Sequence, residues 1–269
     1  MDLTIIADTH GLQDEIKLKP GTMLIHAGDV TEYGSEEEVI DFLEWFAKQP
    51  FKYKIFIAGN HDVFFEECTA AKRKKIIPKD IIYLQNSGVE IEGLKIWGSP
   101  VTPYFLGMAF NARNGKDIKK IWNKVPLDTD ILITHGPPKG MLDNDFGCEE
   151  LLNRVNIVRP KIHCFGHVHG WNDVQQLNQT TFINASMVNN FATPEEMMYK
   201  IFANPIFIKI SNSVPVEEIP FLNNLNAFLK KAEQEIINHA TEMLILAEKR
   251  LRDKSTLTTD FGVEAIIRY

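Results

Sequence analysis

Short, almost continuous apolar segments that each end in a polar motif are the feature that most constrains the fold of this 269-residue chain. Three of these segments come early, at Leu3–Ala7, Met23–Ala27 and Tyr53–Ala58. Strands with so little polar alternation are typically covered on both faces, as in the parallel sheet of an α/β protein. We therefore predict that all three segments are buried parallel strands.

A helix is predicted over residues 35–49, because Ser35 and Glu38 form a capping box and Pro50 follows its end. Further strands are predicted at Ile81–Leu84, Val89–Ile91, Leu94–Trp97, Asp130–Thr134, Lys161–Phe165, Thr181–Asn184 and Ile206–Ile210. Glycine punctuation across residues 81–98 favours an antiparallel meander there. Parallel units followed by meanders predict an α/β (α+β) fold, a two-layered β-sandwich flanked by helices.

Five polar motifs follow predicted strands: Asp8-Thr9-His10, Gly28-Asp29, Gly59-Asn60-His61-Asp62, Thr134-His135-Gly136 and Gly166-His167-Val168-His169. Loops at strand ends of an α/β sheet converge on one crevice, and side chains two residues apart on extended backbone point the same way. Carboxylate, amide and imidazole ligands without thiolate suit Mn²⁺, Fe or Zn²⁺. The motifs contain most of the chain's 8 histidines, which favours one shared metal site over separate core histidines.

The same motifs carry a resemblance to a known family. In this order they resemble the calcineurin-like metallophosphoesterase superfamily. Longer stretches resemble its metallophosphoesterase-domain-containing (MPPED) subfamily: residues 24–31 (LIHAGDVT), 57–62 (IAGNHD), 134–138 (THGPP) and 182–186 (FINAS). The resemblance covers about residues 1–210 and implies a calcineurin-like metallophosphoesterase fold, with residues 1–210 as the catalytic domain.

The resemblance also implies a dinuclear metal site. The ligands of one ion would be Asp8, His10, Asp29 and His169. Those of the second ion would be Asp29 as the bridge, Asn60, His135 and His167. His61 would donate a proton to the leaving group or stabilise its charge, and Asp62 would orient the His61 ring. Two divalent transition-metal ions are expected, Mn²⁺ first, with Fe, Zn²⁺ or Co²⁺ as alternatives.

Such a site has a clear physical rationale. A phosphate ester repels hydroxide because both are anionic, and two cations remove this repulsion by binding hydroxide and phosphate oxygens together. Two divalent ions outweigh the charges of two aspartates and one hydroxide, so the site would attract a monoanionic phosphodiester. The predicted function is therefore phosphodiesterase action on a small substrate such as a cyclic nucleotide, by attack of a metal-bridging hydroxide.

Substrate contacts are predicted at Asn111 and Arg113, in a loop that resembles one near the cleft of the subfamily. An arginine there could clamp a phosphate or a base edge, although an exposed loop arginine is an equal alternative. Other functions stay open: a phosphomonoesterase, a nuclease, or a non-catalytic scaffold on the same fold. A net charge of −7 disfavours a nuclease and a nucleic-acid polymer as partner. The complete ligand set disfavours the scaffold.

The remaining sequence features predict where the protein is located and how it assembles. No apolar run approaches the ~20 residues of a membrane span, and no secretory signal is recognisable, so no membrane contact is expected. The 3 cysteines are widely scattered, which is typical of free thiols in the cytoplasm. In the 211–269 extension, apolar residues spaced three and four apart over 222–252 predict a long amphipathic helix. This helix would either pack along its own domain or form a homo-oligomer.

Overall fold

The computed structural model describes residues 1–190 and 199–210, and two β-sheets lie at its centre. The strands of the first sheet, in spatial order, are β15 (Ile206–Lys209), β1 (Asp2–Ile6), β2 (Gly21–Ala27), β3 (Phe51–Ile57) and β4 (Ile81–Tyr83). Strands β1 to β4 run parallel, and β15 pairs antiparallel with β1 at the edge. The carboxyl ends of β1, β2 and β3 therefore share one edge of this sheet.

The second sheet is mixed. Its strands, in spatial order, are β11 (Asp173–Leu177), β12 (Thr180–Asn184), β10 (Ile162–Phe165), β9 (Ile131–Thr134), β6 (Leu94–Ser99) and β5 (Ser87–Ile91). The four central strands are parallel, while β5 and β11 close the two edges as antiparallel partners. Two small pairs complete the strands: β7 (Thr102–Pro103) with β8 (Asn111–Ala112), and β13 (Val188–Asn190) with β14 (Tyr199–Ile201).

The main core lies between the two sheets. Alternate side chains of each strand point inward, so Leu3 and Ile5 of β1 share one apolar cluster with Ile131 and Ile133 of β9. The intervening Ile6 points to the opposite face of the first sheet, where it joins a second cluster. Both faces of β1 are thus covered, which explains its nearly unbroken apolar sequence.

Helices cover the outer faces of both sheets. In the described residues the α-helices are α1 (Glu36–Lys48), α2 (Val63–Glu67), α3 (Ala70–Ile76), α4 (Lys116–Trp122) and α5 (Glu149–Val158), and a short 3-10 helix spans Gln13–Glu15. Phe42 and Phe46 of α1 pack against Phe56 of the first sheet, while Trp122 of α4 and Leu151 of α5 belong to the cluster outside the second sheet. The predicted two-layered sandwich flanked by helices is confirmed.

The first predicted helix is confirmed with its cap. Ser35 Oγ accepts a hydrogen bond from the Glu38 backbone N–H at 3.2 Å, and the Glu38 carboxylate accepts one from the Ser35 N–H at 2.9 Å. Gln49 ends the helix in extended conformation before Pro50. The helix therefore begins directly after the predicted cap, Ser35, and ends before Pro50 as predicted.

The prediction of an antiparallel meander over residues 81–98 is wrong for its first strand. Its first strand, β4, pairs parallel with β3 in the first sheet, and only β5 and β6 form an antiparallel hairpin in the second. Sequence analysis also missed α5, whose buried Leu151, Val155 and Val158 do follow helical spacing. It missed β11 for a physical reason: this edge strand is largely exposed and has no apolar alternation to detect.

Two predictions lie partly or wholly outside this description. Within the described residues, no helix is long and apolar enough to cross a bilayer. Residues 211–269, with the helix predicted over 222–252, lie outside the described residues. The domain boundary at residue 210 stays a prediction.

Candidate metal centre

The two sheets are joined at the carboxyl ends of their parallel strands. The Ala7 N–H, directly after β1, donates to the Ala185 carbonyl, and the Met187 N–H donates back to the Ala7 carbonyl, at 2.9 Å each. Ala185 follows β12 of the second sheet. This seam brings the motifs after β1, β2 and β3 to the motifs after β9 and β10, although long stretches of sequence separate them.

One cluster of potential metal ligands consists of Asp8, His10, Asp29 and His169. The Nε2 atoms of His10 and His169 lie 3.2 Å apart. His10 Nε2 lies 3.8 Å from Asp29 Oδ2, and His169 Nε2 lies 3.6 Å from Asp8 Oδ1. Both carboxylates are buried. Two imidazoles and two buried carboxylates therefore converge on one small volume.

A second cluster consists of Asp29, His135 and His167. His135 Nε2 lies 3.2 Å from Asp29 Oδ2, the same oxygen that faces His10 in the first cluster. Asn60 Oδ1 lies 2.9 Å from His135 Nε2, so the asparagine amide belongs to this group as well. The structure thus brings all seven predicted ligands together, with one aspartate oxygen between the two clusters.

The chemistry around His135 fits a cation. Its Nδ1 lies 3.0 Å from the Ala27 carbonyl and must donate to it, so in the neutral ring Nε2 carries a lone pair. That lone pair faces the oxygens of Asn60 and Asp29, and three electron-rich atoms can share a cation. Burial alone would lower the pKa of His135, but the charge of Asp29 raises it to about 9. A proton is attracted to the position that a metal ion would occupy.

Motif glycines make room for the ligands. A Cβ atom at Gly166 would overlap the Asp8 carboxylate, and one at Gly59 would overlap the Asp29 carboxylate. At Gly28 a Cβ would lie 2.5 Å from His135 Nδ1, and the backbone there has φ of 101°. Each of these glycines therefore permits a close approach between backbone and a ligand side chain.

Four of the candidate ligand residues have left-handed backbone conformation: Asp8 (φ 53°), His10 (φ 44°), Asp29 (φ 54°) and His167 (φ 68°). Such conformations are uncommon outside glycine and concentrate at functional sites. Hydrogen bonds hold them in place here, since the Asp8 carboxylate accepts from the His167 N–H at 2.9 Å and Asp29 Oδ1 accepts from the His61 N–H at 2.8 Å. Each of these two aspartates thus fixes a loop that carries another site residue.

Two further histidines are buried behind the site, one in each sheet. Thr134 Oγ1 donates to the Gly136 carbonyl at 2.7 Å and must accept from His163 Nε2 at 2.8 Å. His26 Nε2 makes the corresponding contact with Thr9 Oγ1 at 3.0 Å. Burial lowers the pKa of both histidines to about 3. Each neutral ring supports a threonine next to a ligand.

His61 lies at the site, but Asp62 does not orient its ring. His61 Nδ1 lies 2.8 Å from the Glu32 backbone carbonyl. The Asp62 carboxylate instead accepts hydrogen bonds from the Gly59 N–H at 2.7 Å and from the Thr31 N–H at 2.9 Å. Burial and the charge of Asp29 raise the pKa of Asp62 to about 6. Asp62 therefore ties together the two loops that carry Asp29 and Asn60.

The candidate site opens into a cavity of about 260 Å³. Its lining residues are Asp29, Asn60, His61, Phe105, Met108, Asn144, Phe146, His167, Val168, His169 and Tyr199. Neither Asn111 nor Arg113 is among these described lining residues. The Asn111 carboxamide binds the Phe105 N–H and Thr102 Oγ1, and Arg113 is exposed, so their contact with substrate stays a prediction.

Sequence analysis missed several residues around the cavity. Glu32 follows the Gly28-Asp29 motif by three residues, a spacing that could have drawn attention to it. Tyr199 stacks on His10 with ring centroids 4.2 Å apart, yet no sequence pattern links residues so distant. The exposed Phe105 and Phe146 lie in loops without periodicity, so only the fold places them here.

Comparison with known proteins agrees with this geometry. The family model of the calcineurin-like phosphoesterases matches residues 1–171. Metallophosphoesterase domain-containing protein 1 of Homo sapiens is 40% identical over 210 residues, covering 68% of this chain and 64% of the relative. UPF0046 protein K07C11.7 of Caenorhabditis elegans is 36% identical over 205 residues, covering 70% of each protein. The chain thus spans just under two thirds of the human relative.

A solved structure shows the same fold at low sequence identity. TT1561 of Thermus thermophilus has a TM-score of 0.50 and 14% identity, covering 68% of this chain and 88% of that protein. The family match includes the motifs of both sheets up to His169. The chain therefore belongs to the calcineurin-like phosphoesterase family, within its metallophosphoesterase-domain-containing subfamily.

Proposed function

We propose that this protein is a hydrolase of phosphoester bonds that uses two divalent transition-metal ions, and that it acts as a phosphodiesterase on a small substrate such as a cyclic nucleotide. The observation that carries the proposal is the position of Asp29 Oδ2, which faces His10 at 3.8 Å and His135 at 3.2 Å. A carboxylate oxygen shared by two ligand clusters can neutralise charge on two adjacent cations.

The seven residues would divide between the ions as the two clusters do. Asp8, His10 and His169 would hold one ion, and Asn60, His135 and His167 the other, with Asp29 between them. Mn²⁺ suits this oxygen and nitrogen set, with Fe, Zn²⁺ and Co²⁺ as alternatives. When bound, the ions supply positive charge for the phosphoryl oxygens and lower the pKa of coordinated water.

The protein's own residues would bind and orient the ester. His61 lies on the His10 side of the cavity, with ring centroids 4.6 Å apart, and its Nδ1 is fixed by the Glu32 carbonyl. When the ring is doubly protonated, the opposite nitrogen, Nε2, also carries a proton and can donate it to the departing oxygen. A cavity of about 260 Å³ suits a small ester, and the net charge of −7 opposes polyanion binding, which disfavours a nuclease.

We further infer a cytoplasmic protein. Cys68, Cys148 and Cys164 are all free thiols, as expected in a reducing compartment. A homo-oligomer through the segment after residue 210 is also proposed, from its sequence pattern alone. Solution mass of the whole chain and of a chain ending at residue 210 would test that assembly.

Hydrolysis can be tested with the purified full chain. The protein would be stripped of metal, reconstituted separately with Mn²⁺, Fe²⁺, Zn²⁺ or Co²⁺, and assayed on bis(p-nitrophenyl) phosphate and on cyclic and linear nucleotides. We expect activity that requires metal and is lost in Asp29→Asn, while the surface variant Asp128→Asn retains it. Activity absent with every metal would favour the scaffold alternative. Faster cleavage of monoesters than of diesters would favour the phosphomonoesterase.

A further inference from the structure

Phe105, Met108 and Phe146 are apolar side chains that line the cavity, and they are here called the apolar wall. Phe105 and Met108 come from the loop between β7 and β8, and Phe146 comes from the loop between β9 and α5. Phe105 is 43% exposed and Phe146 is 56% exposed. Two separate loops thus present exposed aromatic rings to the same small cavity, which is typical of a ligand-binding surface.

Phe105 and Met108 of the apolar wall lie beside the second candidate ligand cluster. The ring centroids of Phe105 and His167 are 6.4 Å apart in an edge-to-face arrangement, and the Asn60 amide donates to Met108 Sδ at 3.2 Å. His61 and Tyr199 lie beside the first cluster, at the His10 ring. A phosphate between the clusters would therefore have His61 on one side, and Phe105 and Met108 of the apolar wall on the other.

Hydrogen bonds hold the two loops of the apolar wall in place. The Phe105 N–H donates to Asn111 Oδ1 at 2.9 Å, and the Ala109 N–H donates to the Asn60 carbonyl at 3.2 Å. In the second loop, the Asp143 carboxylate accepts from the N–H groups of Gly140 and Gly147 at 2.9 and 3.2 Å. These contacts fix the backbone of the two loops that carry the rings before any ligand arrives, which reduces the entropy cost of binding.

The charges of the side chains that line the cavity limit the class of ligand that can bind beside the apolar wall. Among the described residues that line the cavity, none is lysine or arginine. A second phosphate or a carboxylate on the substrate would therefore find no cationic side chain beside the apolar wall. Aromatic rings instead stabilise planar apolar groups by stacking and by burial of their surface.

We infer that the apolar wall is a subsite for an uncharged aromatic group on the substrate, on the side of the phosphate remote from the leaving oxygen. The substrate class is then a monoanionic phosphodiester with one aromatic substituent and no further charge. This inference rests on the proposed phosphodiesterase function, and it adds the selectivity that the metal ligands alone cannot provide.

The test compares two phosphodiesters that share p-nitrophenolate as leaving group and differ in the other substituent, phenyl or methyl. For the metal-loaded full chain, we expect a higher kcat/KM for the phenyl ester. Phe105→Ala and Phe146→Ala should each reduce this preference by about 2–10-fold, the range for loss of one aromatic contact. A 4-carboxyphenyl ester should lose the advantage of the phenyl ester.

Phe207→Ala is the matched control, because Phe207 is 45% exposed on β15 and does not line the cavity. Its phenyl-to-methyl ratio should equal that of the wild type. A wild-type ratio near one, or a ratio unchanged in both wall variants, would overturn the inference while leaving hydrolysis established.

Binding supplies a second measurement that does not depend on turnover. Calorimetry of the metal-loaded protein should show tighter binding of phenylphosphonate than of methylphosphonate, and Phe105→Ala should remove most of the difference. If no ester is cleaved but this difference is present, the proposed hydrolysis fails and the subsite stands. Equal affinities for the two phosphonates would reject the subsite in either case.

Discussion

Glu32 Oε2 lies 3.3 Å from His10 Nδ1, on the side of the ring opposite the metal-facing Nε2. Among the described residues, neither atom makes a hydrogen bond of good geometry to any other group, although both are buried. A small rotation of the carboxylate would let it accept the Nδ1 proton, which would make Nε2 a better metal ligand. The backbone carbonyl of the same residue holds His61. Glu32 therefore contacts residues with two different proposed roles.

Replacing Glu32 by alanine should weaken metal binding by about 10–100-fold, the usual loss when the support of a ligand histidine is removed. The carbonyl that holds His61 is retained in this variant, so the defect should lie in metal affinity. Titration calorimetry with Mn²⁺ measures it. Glu36→Ala, which removes an exposed carboxylate paired with Lys72, is the control. If Glu32→Ala bound Mn²⁺ as tightly as the wild type, Glu32 would not support His10 as a metal ligand.

Gly166→Ala and Gly59→Ala should each abolish high-affinity metal binding, because the added methyl group would overlap the carboxylate of Asp8 or Asp29. Gly136→Ala is a demanding control. It lies next to His135, but its added Cβ would meet no atom closer than 3.4 Å. Metal content by elemental analysis after reconstitution should be low in the first two variants and normal in the third. Full occupancy in Gly166→Ala would contradict the packing described above.

The buried His163 should make folding stability fall in acid. Burial lowers its pKa from 6.5 to about 3, so below pH 6.5 the unfolded chain binds a proton that the folded protein excludes. Stability should therefore decrease as pH falls from about 6.5 towards 3, by up to ~1.4 kcal/mol per pH unit from this residue. Above pH 6.5 His163 is neutral in both the folded and the unfolded state, so it adds no pH dependence to the folding stability.

Comparison with His163→Gln isolates this effect, because glutamine retains an N–H donor for Thr134 but does not titrate in this range. Protonation of the metal ligands is common to both proteins and cancels in the difference. Urea unfolding at pH 7.5, 6.5, 5.5 and 4.5 should give converging stabilities as the pH falls. If stability fell in parallel with pH for the two proteins, His163 would bind its proton in the folded state as readily as in the unfolded chain.

His61→Ala should retain both metal ions and lower turnover by about 10²–10⁴-fold, the usual range for one acid–base group. The backbone N–H that donates to Asp29 Oδ1 survives the substitution, so the ligand set stays intact. The loss should be largest for an alkyl leaving group and smallest for p-nitrophenolate, which departs without a proton. Equal losses for both esters, with normal metal content, would assign His61 a different task.

Features of the fold that depend on local sequence could be predicted. The buried strands and helix α1 could be recognised because apolar segments and capping residues indicate them. The candidate ligands could be proposed from motifs at strand ends together with the family resemblance that those motifs carry. The placement of β4 could not, since a short apolar strand fits either sheet and only packing against β3 decides.

The same distinction applies to the residues around the ligands. The family resemblance implies that Asp62 orients the His61 ring, but the Asp62 carboxylate accepts hydrogen bonds from the backbone N–H groups of Thr31 and Gly59. Tyr199 reaches His10 only through the pairing of β13 with β14. Contacts of this kind depend on tertiary arrangement, which a local pattern does not record.

The left-handed backbone at Asp8, His10, Asp29 and His167 has a consequence for how this centre can change during evolution. Aspartate and histidine are among the non-glycine residues that adopt this conformation most readily. A residue that replaces one of these four must therefore meet two requirements: its side chain must coordinate a metal, and its backbone must adopt the left-handed conformation. Glutamate or cysteine could meet the first and still fail the second, so the spectrum of accessible metal chemistries is narrower than the donor atoms alone would allow.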